Sequence, residues 1–146
     1  MRINGAHYRT RRAQATLEFA LICPLFLLLV FGSLEFGRAY LRLHMMLNAA
    51  RDGARAGTLP SSVEADVESA VDERLSQAGF DTSDCSTTVA VYDPAGSPRT
   101  GGLAEAQQGD RVEVTVEYDF QVLTGTLIPG FSGIVPLHAV CTFRHE

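Results

Sequence analysis

The sequence has no lysine: all twelve of its basic residues are arginine. It has no acidic residue before Glu18. It also lacks a phosphate-binding glycine loop and a nucleophile elbow. No general base and nucleophile can be paired as neighbours. These absences give no ground for expecting catalysis, a cofactor or a small-molecule substrate. His138, Cys141 and His145 have a spacing that suggests a metal site. On a strand, however, positions 138 and 141 face opposite ways. A fourth ligand is also missing, so no metal is expected.

What is present is unevenly distributed. Residues 1–58 hold eight arginines against Glu18, Glu35 and Asp52, whereas residues 59–146 hold four against fourteen acids. A basic start and an acidic remainder imply two environments for one chain. The acidic body would repel phosphate, which argues against a nucleic-acid partner. A length of 146 residues suits one compact domain plus an anchor.

The anchor is legible. Phe19 to Leu34 reads FALICPLFLLLVFGSL, without a charge, after a leader containing Arg2, Arg9, Arg11 and Arg12. Basic flanks stay in the cytoplasm, so residues 1–13 are expected inside and the acidic part outside. A secretory signal peptide is the competing reading. Against it, the sequence that follows, EFGRAYLRLHMMLNAARDGARA, is helical in pattern and offers no extended small-residue cleavage site. The uncharged run is short: at ~1.5 Å per residue it covers about 24 Å of a hydrocarbon core near 30 Å. A span of about 17–37 therefore brings Glu18 and Glu35 to the edges of the apolar layer, or into it. Arg38 lies one turn beyond Glu35 and can pair with it. No basic residue follows Glu18 within a turn, and a free N-terminal amine would suit it. Pro24 removes a helix hydrogen bond inside the span and favours a kink.

Beyond the span, Phe36, Tyr40, Leu43, Leu47, Ala50 and Ala54 recur at helical spacing. Arg51 and Arg55 form an i,i+4 pair, and Ala49, Gly53 and Gly57 make a small-residue strip that another helix could approach. Signals stop at Gly57 and Pro60, so one helix is expected over 14–57, ~65 Å long by its rise. Residues 58–146 then read as an extracytoplasmic α+β domain. Ser61 and Glu64 offer a capping box for a second helix over 61–78, with Val63, Val67, Val71 and Leu75 repeating every four residues. Strands are expected at 85–92, 111–122 and 137–144, forming a small antiparallel sheet. The Gly- and Pro-rich stretch 93–110 reads as a mobile loop. The apolar segment 126–136, broken by two prolines, reads as a core-covering crossover or an exposed contact patch. Cys85 and Cys141 both point toward the core, and an oxidising compartment would join them as a disulfide. Cys23 lies in the apolar span and stays a free thiol.

The stretch RRAQATLEFALICPLFLLLVFGSLEFGRAYLRLHMMLNAARDGARAG resembles the N-terminal signature of TadE-like proteins, minor pilins of tight-adherence (Flp, type IVc) pilus systems. The resemblance rests on ATLEFAL with its following proline and leucine, on the second EFGRA, and on NAARDGARAG, over about residues 11–57. It implies a pilin-like fold and no enzymatic role. It implies removal of the leader by a prepilin peptidase between Ala13 and Gln14, although the family usually has Gly where this chain has Ala13. Glu18 would become the fifth residue of the mature helix, with Phe19 after it, and would meet a mature N-terminal amine during assembly. The implied partners are that peptidase, other pilins and membrane proteins of pilus assembly. The implied location is the bacterial inner membrane, single-pass, with the C-terminal domain periplasmic. The related TadG-like proteins add a large von Willebrand-type domain, for which this chain is too short. A permanently anchored envelope protein whose outer domain binds a partner remains the alternative.

Overall fold

The computed structural model describes residues 6–125 and 133–145, and of residues 6–13 the backbone only. The order is α1 (Ala6–Ala56), α2 (Glu64–Gln77), β1 (Cys85–Tyr92), β2 (Arg111–Gln121) and β3 (Ile134–Arg144), an α+β arrangement. The chain divides into two units, Met1–Gly37 and Arg38–Glu146.

In the first unit, Leu, Ile and Phe side chains from Leu17 to Phe36 stand exposed. Pro24 lies inside the helix. Ser33 disposes of its hydroxyl by donating to the Leu29 carbonyl at 2.8 Å, as a polar side chain in an apolar helix must.

The second unit is built on β2. Its period-2 alternation sends Val112, Val114, Val116 and Phe120 inward and buries them. The sheet order is β1-β2-β3, antiparallel throughout. The inward face meets α2 through Val67, Val71 and Leu75, and meets α1 through Met46, Ala49, Ala50 and Ala54. Glycine makes that contact possible. A Cβ on Gly53 would lie 2.4 Å from Val71 Cγ2, and one on Gly57 would lie 3.0 Å from Val112 Cγ1. The small-residue strip expected to admit another helix thus receives this chain's own α2 and β2.

Local signals act where their geometry is complete. Gly79 (φ +76°) ends α2 in a Schellman motif: its N–H reaches Ser76 O, and the Phe80 N–H reaches Leu75 O, both at 3.0 Å. The expected Ser61 cap does not form. The helix starts at Glu64, after Val63, whose N–H donates to Asp66 Oδ2 at 3.0 Å. Ser62 instead closes a turn on the Leu59 carbonyl. β3 begins three residues earlier than expected, at Ile134. It takes in Pro136, which an edge strand tolerates because it lacks only an outward donor. The rest of the 126–136 segment, residues 126–132, lies outside the described residues.

The stretch 93–110 is not the expected free loop. Asp93 and Ser97 close a turn, Arg99 N donates to Val91 O at 2.8 Å, and a 3-10 turn at Gly102–Glu105 buries Leu103.

Candidate functional site

The residues singled out in the sequence fall into three groups. The first lies on the apolar part of α1. Ala13 and Gln14 are both within the helix. The Glu18 carboxylate accepts from Gln14 Nε2 at 3.2 Å, one turn back. Phe19 is exposed, as are its large neighbours. Among the described residues, α1 is the one helix long and apolar enough to cross a membrane, and none of its most apolar window is buried. A core helix of the same composition would be covered by its own protein. This one instead offers side chains that water does not favour.

The second group is the arginines. Arg42 lies over the Phe80 ring at 4.3 Å and donates to the Gly79 carbonyl at 3.2 Å. It thus combines a cation–π contact with a positive charge at the C-terminal end of α2, where the helix dipole favours one. Phe80 also meets Tyr118 edge-on at 5.1 Å. Arg38 lies over the Phe120 ring at 5.3 Å. Arg51 donates to Asn48 at 3.2 Å. Arg55 is exposed near the end of α1. Sequence reasoning missed the aromatic contacts, because Phe80 and Phe120 are distant in the chain and no local pattern pairs them with 42 and 38.

The third group is the cysteines and histidines. Cys85 and Cys141 both pack against the core, as expected, but they are not joined. The register explains this correction. Cys85 is opposite Tyr118, which is opposite Leu137, and Cys141 lies four residues further along β3. With β2 between them, the two are separated by about 10 Å across the sheet and about 13 Å along it. A disulfide needs Cα atoms within about 7 Å. Burial, helped by Asp84 and Asp72, pushes the Cys85 thiol above its usual range. Cys85 therefore stays protonated and weakly reactive. Cys23 is free too.

The histidines have separate tasks. His138 meets Glu117 at 3.1 Å on the exposed face. His145 is buried, and its Nδ1 lies 3.1 Å from the Gly57 carbonyl. A carbonyl only accepts, so Nδ1 carries the proton.

His145 also belongs to a clasp that sequence reasoning did not find. Its N–H donates to Asp110 O at 2.8 Å, and its carbonyl accepts from Gly109 N at 2.9 Å. Asp110 is 1% exposed. Its carboxylate accepts from Arg99 Nε at 2.6 Å and Nη2 at 3.0 Å, and from Gln107 N at 2.8 Å. The Arg99 hydrogen bonds hold the carboxyl below the usual aspartate range, against the opposing effect of burial. The clasp ties the 93–110 stretch, the end of β3 and the end of α1 together. The sequence reading paired neither residue, and nothing local marked Asp110 as buried.

Among the described residues, the three groups and the clasp bring no nucleophile into hydrogen-bond reach of a base. The distinguishing feature of the chain is an exposed apolar helix continuing into a packed α+β unit. The model of the family described as TadE-like protein matches residues 13–55, the segment on which the resemblance rested. No curated protein and no solved structure matches the chain.

Proposed function

We propose that this chain is a minor pilin, or pseudopilin, that takes part in assembling a tight-adherence (Flp, type IVc) pilus. The observation that carries the reading is the exposed apolar stretch from Leu17 to Phe36 inside the segment matched by the TadE-like family. α1 holds the chain in the bacterial inner membrane, with residues 1–13 in the cytoplasm and the α+β unit outside. A prepilin peptidase cuts between Ala13 and Gln14. Gln14 then bears a new amine near the carboxylate that it already meets through its side chain. Glu18 offers that carboxylate to an incoming amine in an apolar layer, where an uncompensated charge costs on the order of 3 kcal/mol. Pairing removes this cost, so it favours subunits packed helix to helix. Phe19, Pro24, Glu35 and the exposed Leu and Phe side chains supply the packing surface. The other pilins and assembly proteins of the system are its partners.

N-terminal sequencing of the protein from membranes that contain its peptidase tests the reading. A new terminus at Gln14 is the expected result, with loss of pilus assembly in Glu18→Ala. An intact leader together with normal assembly in Glu18→Ala would instead favour a permanent anchor whose outer unit binds a partner.

A further inference from the structure

The second unit is acidic overall, yet it gathers three guanidinium groups at one end. Arg111 and Arg144 are direct cross-strand partners on β2 and β3, both exposed. Like charges in that position repel. Arg144 donates to the Gly109 carbonyl at 3.3 Å, which positions it without neutralising it. Phe143 and Arg144 line both of two clefts. One, of about 350 Å³, is also lined by Arg111. The other, of about 640 Å³, is also lined by Arg55 and Leu59. Leu59 is 60% and Phe143 37% exposed. Among the described residues, none of the three arginines has an acidic side chain within ion-pair distance. Asp52 borders the larger cleft but is engaged by Arg74 at 3.3 Å.

The opposite imbalance lies on α2. Glu64, Glu68 and Asp72 are spaced four residues apart, so they form one exposed row along the helix, about 12 Å from end to end. Like charges at that spacing also repel. None of the three is ion-paired among the described residues. Val63, 53% exposed, sits at the start of the row. Each cluster is thus unfavourable by itself and complementary to the other in sign and in its apolar fringe.

We infer that the Arg55–Arg111–Arg144 groove is a docking surface for the α2 acidic row of a second copy of this chain. Groove and row are different surfaces, so the contact is heterologous and leaves one of each open at the ends. Such a contact closes a ring or, where the rotation does not close, propagates, and the propagating form suits subunits stacked along a filament. Lipid headgroups fit poorly as the occupant. By helical rise, Arg55 lies ~26 Å along α1 from Arg38, the residue to which the apolar stretch is joined. The inference goes beyond the pilin reading and does not require leader cleavage, so either can fail while the other stands.

The test uses the full chain in detergent, as two differently tagged copies mixed at low salt. We expect one copy to recover the other, and recovery to fall as salt screens the charges. Arg111→Glu with Arg144→Glu in one copy, and Glu68→Arg with Asp72→Arg in the other, leave each copy unable to pair with itself but complementary to the other. Reversing the groove in both copies should lower recovery about tenfold, equivalent to ~1.4 kcal/mol. Mixing reversed-groove with reversed-row copies should restore it. Thermal melts of each variant exclude misfolding. Arg111→Glu alone should not lower stability, because it turns a like-charge cross-strand pair into an opposite one. Three outcomes overturn the inference: no recovery of wild type, recovery indifferent to groove reversal, or loss without rescue by the swapped row. A protective melt shift from inorganic phosphate or anionic vesicles, accompanying failed rescue, would assign the groove to that anion instead.

Discussion

Two stretches of α1 use apolar residues in opposite ways. Between Leu17 and Phe36 the side chains are large and exposed. Between Met46 and Gly57 the buried residues, after Met46 itself, are alanine and glycine. A soluble helix buries its large residues and leaves small ones wherever they fall. Here the large residues stand exposed among the described residues, and the small ones let α2 and β2 approach the backbone. Tyr40 and Leu41, still more than half exposed, mark the transition. One helix therefore carries two kinds of apolar surface: the first acts through area offered to a lipid or a partner, the second through the distance at which packing becomes possible.

Charging the exposed stretch gives the largest effect. Leu28→Arg places a guanidinium in the middle of the uncharged run, which disfavours insertion by roughly 3 kcal/mol. The variant should shift from the alkali-resistant membrane fraction toward the soluble or degraded pool, while the unit from Arg38 onward keeps its melting behaviour. Undiminished membrane retention would mean that the stretch is not held by lipid.

The next test makes the same substitution on both sides of the divide. Gly53→Val drives a β-branched side chain into Val71, whose Cγ2 already lies 2.4 Å from where a Cβ would sit. Overpacking of this kind costs about 1–3 kcal/mol. Gly32→Val meets nothing within 4 Å, so the melting of the unit from Arg38 onward should not move. Equal destabilisation by both would erase the distinction between the two stretches.

What could be read beforehand follows the same division. The uncharged run, the strand pattern over 111–122 and the Val67–Val71–Leu75 spacing are short-range signals, and each became an element of the expected kind, with β2 ending at Gln121. The Schellman end of α2 at Gly79 likewise needs only its own six residues. Ser61 misled because a cap depends on where the preceding turn ends, and Leu59 draws Ser62 into that turn. The cysteines misled for a related reason. Alternation told which way Cys85 and Cys141 face but not which strand lies between them. The stretch 93–110 looked unstructured because Gly and Pro dominate it, while its order comes from Arg99 reaching Asp110 and from the end of β3.

That clasp sharpens the comparison from the packed side, with a smaller and pH-dependent effect. Asp110→Asn keeps the shape but loses the charge that Arg99 grips. The folded-state pKa of Asp110 is depressed, so its contribution is fully present above the ordinary aspartate value of about 3.9. It is lost as pH falls through the lowered folded value. Chemical denaturation should therefore find Asp110→Asn less stable than wild type at neutral pH, and the gap should close in acid. A gap that does not change with pH would show that the carboxylate contributes by shape alone.

The smallest effect is a null one that bears on how the packed unit is held. If its order rests on Gly53, Gly57 and the Asp110 clasp, no covalent staple is needed. Cys85 and Cys141 are both on the core face, where oxidation would join them if the sheet allowed contact, but β2 lies between them. Denatured without reductant, the full chain should take up maleimide on all three cysteines. Adding reductant to the native protein should leave its melting temperature unchanged. One labelled cysteine, with a melt that drops on reduction and a Cys85–Cys141 linked peptide in a non-reducing digest, would show those two bonded. β1 and β3 would then have to be neighbours, and the order β1-β2-β3 would be wrong.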